Sequence, residues 1–161
     1  LTVRSVEVPP NDMCSEAIDI VPNNGTIFGS TIDALDSGAI GCLSSSFGSS
    51  PDVWYRVEGT GMSLTASLCG GNTNYDSEIA IYEADGDSCD TICVNSNDDF
   101  CDAASEVEWF ASPGTTYYIR VYGYGESSGT FELTVSGRNI TLENNKCVDP
   151  ILLLEGGATT E

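Results

Sequence analysis

Short segments in which apolar and polar residues alternate constrain the fold of this chain more than any other feature. Residues 62–68, 117–122 and 131–135 show the two-residue period of a strand that buries one face and wets the other. Four further short strands are predicted at residues 26–32, 53–58, 78–83 and 106–111. Clusters of Gly, Ser, Asn and Asp separate these segments, as expected for turns. Seven or eight such strands predict an all-β fold, a jelly-roll-like antiparallel β-sandwich.

The two ends of the chain resemble each other. The tripeptide Leu-Thr-Val at residues 1–3 is separated from Cys14 by ten residues, and its copy at residues 133–135 is separated from Cys147 by eleven. Chance similarity of two short strands is one explanation, and a slice through a tandem array is the other. The array predicts a linker and the end of a preceding repeat at residues 1–10. The module itself is then residues 11–137, and residues 138–161 are a linker and the start of a following repeat.

Seven cysteines and no histidine indicate an oxidising compartment, so we expect a secreted or cell-surface protein. A zinc site would need four thiolate or imidazole ligands at tighter spacing, so disulfides are the favoured interpretation. Asn24 and Asn139 begin Asn-X-Thr sequons and are predicted glycosylation sites.

Six cysteines allow many disulfide connectivities, and the sequence alone does not choose among them. The preferred pairings are Cys14–Cys42, Cys69–Cys89 and Cys93–Cys101. On the tandem interpretation, Cys147 occupies in the next unit the position that Cys14 occupies in this one.

The acidic composition excludes several classes of partner. Twenty-five acidic residues face five basic ones, a net charge of −20, whereas nucleic acids and anionic membranes require clustered Lys and Arg. No stretch approaches the roughly 20 apolar residues of a membrane span, so no membrane insertion is expected. Calcium and basic partners remain compatible with this charge.

The negative charge is concentrated in the middle of the chain, where residues 57–118 contain twelve carboxylates and no Lys or Arg. Carboxylates and amides crowded onto neighbouring loops suit Ca²⁺, which takes six to eight oxygen ligands. The predicted calcium ligands are Asn97, Asp98, Asp99 and Asp102, with Asp76 from a neighbouring loop. A solvated acidic face that maintains solubility is the alternative.

Catalysis is not predicted, because the chain has no histidine to activate a nucleophile. Residues 125–129 spell a Gly-X-Ser-X-Gly elbow, but they are expected to join two strands rather than a strand and a helix. Among the aromatic residues, Trp54 and Trp109 are expected in the core. Tyr122 and Tyr124 are predicted to bind a ligand by stacking against sugar rings or a fibrous protein.

Six motifs in order resemble a known module, the pre-peptidase C-terminal (PPC-like) domain. The motifs are NDMCSEA at residues 11–17, PDVWY at 51–55, YDSE at 75–78, CVNSNDD at 93–99, GTTYYI at 114–119 and GTFELTV at 129–135. The resemblance implies a secreted β-sandwich that is appended to hydrolases or repeated in surface proteins. Related collagen-binding modules of bacterial collagenases bind calcium near the start of the module, which implies a possible role for Asn11 and Asp12.

Two functions are therefore compared. The preferred one is a non-catalytic extracellular structural or adhesive module of a tandem-repeat surface protein or fibre, stabilised by calcium, whose partners are neighbouring copies of the same module. The alternative is an accessory domain that directs a secreted hydrolase to a polysaccharide or an extracellular fibrous protein.

Overall fold

The computed structural model describes residues 7–39, 42, 50–85 and 88–140, without the side chains of residues 85 and 88–91. This part of the chain contains a short 3-10 helix at Cys14–Glu16 and nine strands. The strands are Ile18–Asp19 (β1), Thr26–Ser30 (β2), Val53–Glu58 (β3), Met62–Ser67 (β4), Ser77–Asp85 (β5), Ser88–Asn97 (β6), Glu106–Ala111 (β7), Thr116–Gly123 (β8) and Thr130–Asn139 (β9). None of the described helices is long and apolar enough to cross a membrane.

The strands form two sheets, which confirms the predicted β-sandwich. One sheet has five strands in the order β1-β3-β8-β5-β6, and the other has four in the order β2-β9-β4-β7. All neighbouring strands are antiparallel except β1 and β3, which run parallel. Two of the nine strands, β1 and β6, were not predicted, because neither contains a long apolar alternation.

The main core lies between the two sheets. Alternate residues of β3, β4, β5, β7, β8 and β9 meet there, as the two-residue period requires. Trp109 packs against Tyr117 with ring centroids 6.2 Å apart, and Tyr55 meets Phe131 edge-on at 6.3 Å. Trp54 and Trp109 are both buried, as predicted, although only Trp109 belongs to this core.

A second apolar cluster covers the outer face of the five-stranded sheet. Trp54 belongs to it, together with Tyr82, Tyr118 and Tyr122, and Cys14 and Cys42 pack on top. The prediction that this face of β8 lies in solvent is therefore wrong, since Tyr118 is 8% and Tyr122 only 2% exposed. Local alternation shows which residues share a face, but not whether another part of the chain covers that face.

Two disulfides replace the predicted pairings. Cys42 is bonded to Cys93 and Cys69 to Cys101, so the predicted pairs Cys14–Cys42, Cys69–Cys89 and Cys93–Cys101 are all wrong. The Cys42–Cys93 disulfide links the segment that packs on the outer face to β6. The Cys69–Cys101 disulfide joins the end of β4 to the turn after β6. The prediction paired cysteines that are closer in sequence, whereas sheet packing brings together residues 51 and 32 positions apart.

The other cysteines are less fully defined. Cys14 is also disulfide-bonded. The side chain of Cys89 and the whole of Cys147 lie outside the described residues. So do residues 1–6 and 141–161, which hold most of the predicted linkers and the second copy of the N-terminal motif.

Candidate metal centre

Acidic side chains gather where the hairpin of β5 and β6 begins and ends. The register pairs Ile79 with Asn97, so its continuation places Glu78 opposite Asp98. Side chains two residues apart on a strand share a face, which brings Asp76 to the side of Glu78. Because Ala80 and Tyr82 follow on this same face and belong to the outer cluster, the acidic group lies at one end of the outer face.

Three of the predicted calcium ligands come together. One carboxylate oxygen from each of Asp76, Asp98 and Asp99 lies within 4.8 Å of the other two. Asp76 and Asp98 are half-buried, and Asp99 is exposed. None of the ion pairs found among the described residues includes any of the three, so their negative charges lie together without a basic neighbour.

Two carboxylate oxygens of this group are buried without a hydrogen-bond donor. Asp76 Oδ1 and Asp98 Oδ1 are shielded from solvent, and within the described residues neither accepts a hydrogen bond. The predicted ligand Asn97 also has a buried, unbonded Oδ1, but it pairs with Ile79 of the main core, so its side chain lies on the opposite face from Asp98. Buried polar atoms in proteins are normally hydrogen-bonded or bound to an ion or water. The two carboxylate oxygens therefore provide acceptors that a cation can use.

The crowding of carboxylates changes their acidity. Burial, together with the charges of Glu78, Asp99 and Asp76, raises the pKa of Asp98 to about 6. Burial and the neighbouring charges of Asp99 and Glu78 also raise the pKa of Asp76. A bound cation would reverse both shifts, because it stabilises the ionised form.

Glu78 belongs to this electrostatic environment although it was not among the predicted ligands. Its side chain is fully buried, and its charge acts on both Asp76 and Asp98. Its position two residues after Asp76 in a strand was the available sequence signal.

Asp102 is the one predicted carboxylate ligand that the structure leaves apart. It is exposed, has a φ of 57°, and is not a member of the carboxylate group. It borders a cavity of about 500 Å³ that Asp76 also borders. The turn after β6 therefore directs Asp98 and Asp99, but not Asp102, towards the shared centre.

The surrounding backbone fixes the acidic group in place. The hydroxyl of Ser105, which is fully buried, lies within hydrogen-bonding reach of the carbonyl oxygens of Ser77 and Asp98. Ser77 N donates to Ala103 O at 3.0 Å. The Cys69–Cys101 disulfide closes the same turn, so β5, the turn and β7 are tied together around the carboxylates.

The two tyrosines predicted to bind a ligand have different environments. Tyr122 is buried beneath the guanidinium of Arg120, 4.4 Å from its ring centroid, so it presents no free ring face and that prediction is wrong. Tyr124 is 54% exposed, and its backbone N–H donates to Asp76 O at 3.0 Å. An accessible aromatic ring therefore lies on the loop beside the acidic group.

The remaining candidate residues have identifiable positions. Asn11 Nδ2 donates to Trp54 O at 2.9 Å, and Asp12 Oδ1 accepts from Leu35 N at 2.6 Å. Both side chains are buried in these contacts, and Asp12 is not part of the carboxylate group. Asn24 and Asn139 are both exposed, so both predicted acceptor side chains are accessible.

Comparison with known proteins gives matches among solved structures alone. No family model matches the sequence, and no curated protein matches it. The Yersinia pseudotuberculosis-derived mitogen is similar with 16% identity and a TM-score of 0.45, over 81% of this chain and 100% of that one. The pre-peptidase C-terminal domain of collagenase from Bacillus anthracis is similar with 18% identity and a TM-score of 0.46. At this low identity, the similarity to that domain extends over 84% of this chain and 100% of the other.

Proposed function

We propose that this chain is a non-catalytic extracellular module, structural or adhesive in role, that calcium stabilises at the group formed by Asp76, Asp98 and Asp99. The observation that supports it most directly is the meeting of three carboxylate oxygens within 4.8 Å. Such an arrangement is repulsive by itself, and a divalent cation turns the repulsion into attraction.

The donor set favours calcium over other metals. All candidate ligands are oxygens, and the carboxylate of Glu78 lies close enough to act electrostatically on Asp76 and Asp98. Zinc and copper prefer the nitrogen and sulfur ligands that are missing from this group, whereas calcium and magnesium prefer oxygen. The irregular spacing of residues on two strand ends and one turn suits calcium, since magnesium requires a near-ideal octahedron.

An extracellular location agrees with the disulfides, which form and persist in oxidising compartments. Calcium at extracellular concentrations would occupy even a moderately weak site. Neighbouring copies of the same module are the partners expected for a tandem-repeat surface protein or fibre, with the calcium centre keeping each copy rigid.

A second function is supported by one observation, the position of Tyr124. An exposed aromatic ring beside a calcium centre is suited to stacking against a sugar ring or a fibrous protein. This favours the alternative of an accessory substrate-binding domain of a secreted hydrolase. Calcium-dependent retention on polysaccharide or collagen resins that is lost in Tyr124→Ala would support this alternative over a purely structural module.

Thermal unfolding tests the calcium proposal. Chelator-treated protein should gain about 2.7 kcal/mol when calcium is added at a hundredfold excess over its Kd, which corresponds to roughly 10 °C in Tm. Magnesium should raise the Tm much less. Calorimetry with calcium alone would supply the Kd and the stoichiometry.

Two isosteric variants make the test specific. Asp98→Asn should lose most of the calcium-dependent rise in Tm, because it removes a charged ligand from the centre. Asp102→Asn removes a charge from the same turn and should keep that rise. An unchanged Tm for the unmodified protein, or equal losses in the two variants, would contradict the proposal.

A further inference from the structure

In the described part of the chain four strands form the edges of the two sheets, and β2 differs from the other three. It has the sequence Thr-Ile-Phe-Gly-Ser and contains no charged residue. In contrast, β1 contains Asp19, β6 contains Asp90, and β7 contains Glu106 and Glu108. Charged residues on an edge strand discourage pairing with another chain. The edge of β2 therefore lacks the protection that the other edges have.

A groove of about 710 Å³ runs beside this edge. Four consecutive residues of β2, 27–30, border it, so the groove follows the edge of the strand rather than one face alone. The rest of its lining is largely apolar and includes Pro9, Pro10, Ile18, Ile32, Tyr55 and Phe131. Because Ile18 belongs to β1 of the other sheet, the groove marks the side on which the sandwich is open.

Apolar side chains and backbone groups are both accessible along this edge. Phe28 is 71% exposed, Ile32 47% and Ile18 42%. Within the described residues β2 pairs with β9 alone, so the backbone N–H and C=O groups of its other side face the groove. A further strand could pair with these groups and cover the apolar side chains at alternate positions.

The charges around the groove indicate which chemistry fits there. Glu7 lines the groove, Asp33 follows Ile32, and Glu132 lies opposite Phe28 in the register of β9. The basic residues in the described part of the chain, Arg56, Arg120 and Arg138, each form an ion pair with an aspartate or glutamate. None of the arginines in the described part of the chain is therefore left to neutralise the groove, and a basic occupant would complement its charge.

We propose that β2 binds an extended, basic segment of a partner protein, which adds to the four-stranded sheet as a fifth strand. The segment has apolar residues at alternate positions, which lie against Phe28, and Lys or Arg at its flanks, which lie near Glu7 and Asp33. Pairing between the β2 edges of two copies is disfavoured, because each copy brings a net charge of −20 and the same acidic groove. This site does not involve the calcium centre.

Fluorescence anisotropy with a synthetic peptide tests the proposal on the full chain. The probe is a short peptide in which valine and threonine alternate between pairs of lysines. Phe28→Lys should weaken its binding about tenfold, a change of about 1.4 kcal/mol. Phe110→Lys makes the same change in net charge at another exposed phenylalanine, on edge strand β7, and is the matched control. It should leave the Kd within about twofold, because β7 is not part of the groove.

Backbone N-methylation of the peptide distinguishes strand pairing from simple charge attraction. Methylation of the alternate amides that face β2 should abolish binding, whereas methylation of the outward amides should preserve it. Amide chemical-shift changes should centre on residues 27–30. The proposal is overturned if the peptide does not bind or if both methylation patterns weaken it equally. It is also overturned if Phe110→Lys matches Phe28→Lys, or if sedimentation of the protein alone shows a dimer that Phe28→Lys disrupts.

Discussion

Two polar clusters lie on the outer face of the five-stranded sheet, and they differ in whether a basic side chain balances the buried carboxylates. In the first, Arg120 is 4% exposed and bonds to the fully buried Asp52 at 2.6 Å. Ser37 and Trp54 donate to the same carboxylate at 2.7 and 3.0 Å. In the second, Asp76 and Asp98 approach each other and Asp99 with no cation supplied by the protein.

The difference separates a structural cluster from a proposed binding site. A buried charge is tolerated when an opposite charge and hydrogen bonds replace its water, as they do around Asp52. Burial raises the pKa of both Asp52 and Asp98, but Arg120 and hydrogen bonds act to lower that of Asp52, whereas the neighbouring carboxylates raise that of Asp98 further. The first cluster is complete by itself, whereas the second is the one that we propose a cation completes.

The largest expected effect on stability comes from removing the arginine of the Arg120–Asp52 cluster. Arg120→Met should lower the free energy of unfolding by about 3–5 kcal/mol, because Asp52 is left as a buried charge without a counterion. Urea unfolding in the presence of chelator measures this. Arg138→Met removes an arginine that pairs with Glu108 in solvent, and it should lower the free energy by less than about 1 kcal/mol. Similar losses in both variants would show that burial of the Arg120 pair has no special role.

Removal of the disulfide at the acidic turn should have the next largest effect. The double variant Cys69→Ala with Cys101→Ala should lose about 2–4 kcal/mol of stability. It should also weaken calcium binding, since Cys101 closes the turn that carries Asp98 and Asp99. Removal of Cys42–Cys93 offers the matched control, with a similar loss of stability but little change in calcium affinity. Equal calcium affinity in the two double variants would separate the disulfide from the proposed metal centre.

A substitution in the group of Asp76, Asp98 and Asp99 should change the free energy of unfolding in the opposite direction. In chelator at neutral pH, Asp98→Asn should raise the free energy of unfolding by about 1 kcal/mol, since it removes a repelled charge. The comparable change Asp102→Asn is outside the carboxylate group and should stay within about 0.5 kcal/mol of the unmodified protein. Destabilisation by Asp98→Asn in the absence of metal would mean that its carboxylate is already satisfied within the protein.

The smallest effect is the pH dependence of that difference. The pKa of Asp98 is raised from 3.8 to about 6 on folding, so the folded state retains its proton to a higher pH than the unfolded state. Its contribution to stability is therefore full below about pH 4 and is lost as the pH rises through about 6. In chelator, the advantage of Asp98→Asn should grow across this range, which urea unfolding of both proteins would show. An advantage that stayed constant with pH would assign the effect to something other than ionisation of Asp98.

Some elements could be predicted because their signal is local. The strands Val53–Glu58 and Glu106–Ala111 have the bounds expected from alternation, since each has one face in the main core. The strand Ser88–Asn97 was missed because it is polar along most of its length and takes its strand form from pairing with β5. Asp98 and Asp99 were predicted as ligands from their density in the sequence, whereas the role of Glu78 depended on the register of β5 and β6.

The sequence by itself determined the β-sandwich, the need for disulfides and the excess of carboxylates near β5 and β6. These follow from a two-residue period, a cysteine count and a charge count, which are properties of neighbouring residues. Only the tertiary structure decided that Cys42 meets Cys93, that Tyr122 is buried under Arg120, and that Asp76 joins Asp98 and Asp99 while Asp102 does not. Each of these depends on register and on the covering of the outer face, where contacts form between residues that are distant in sequence.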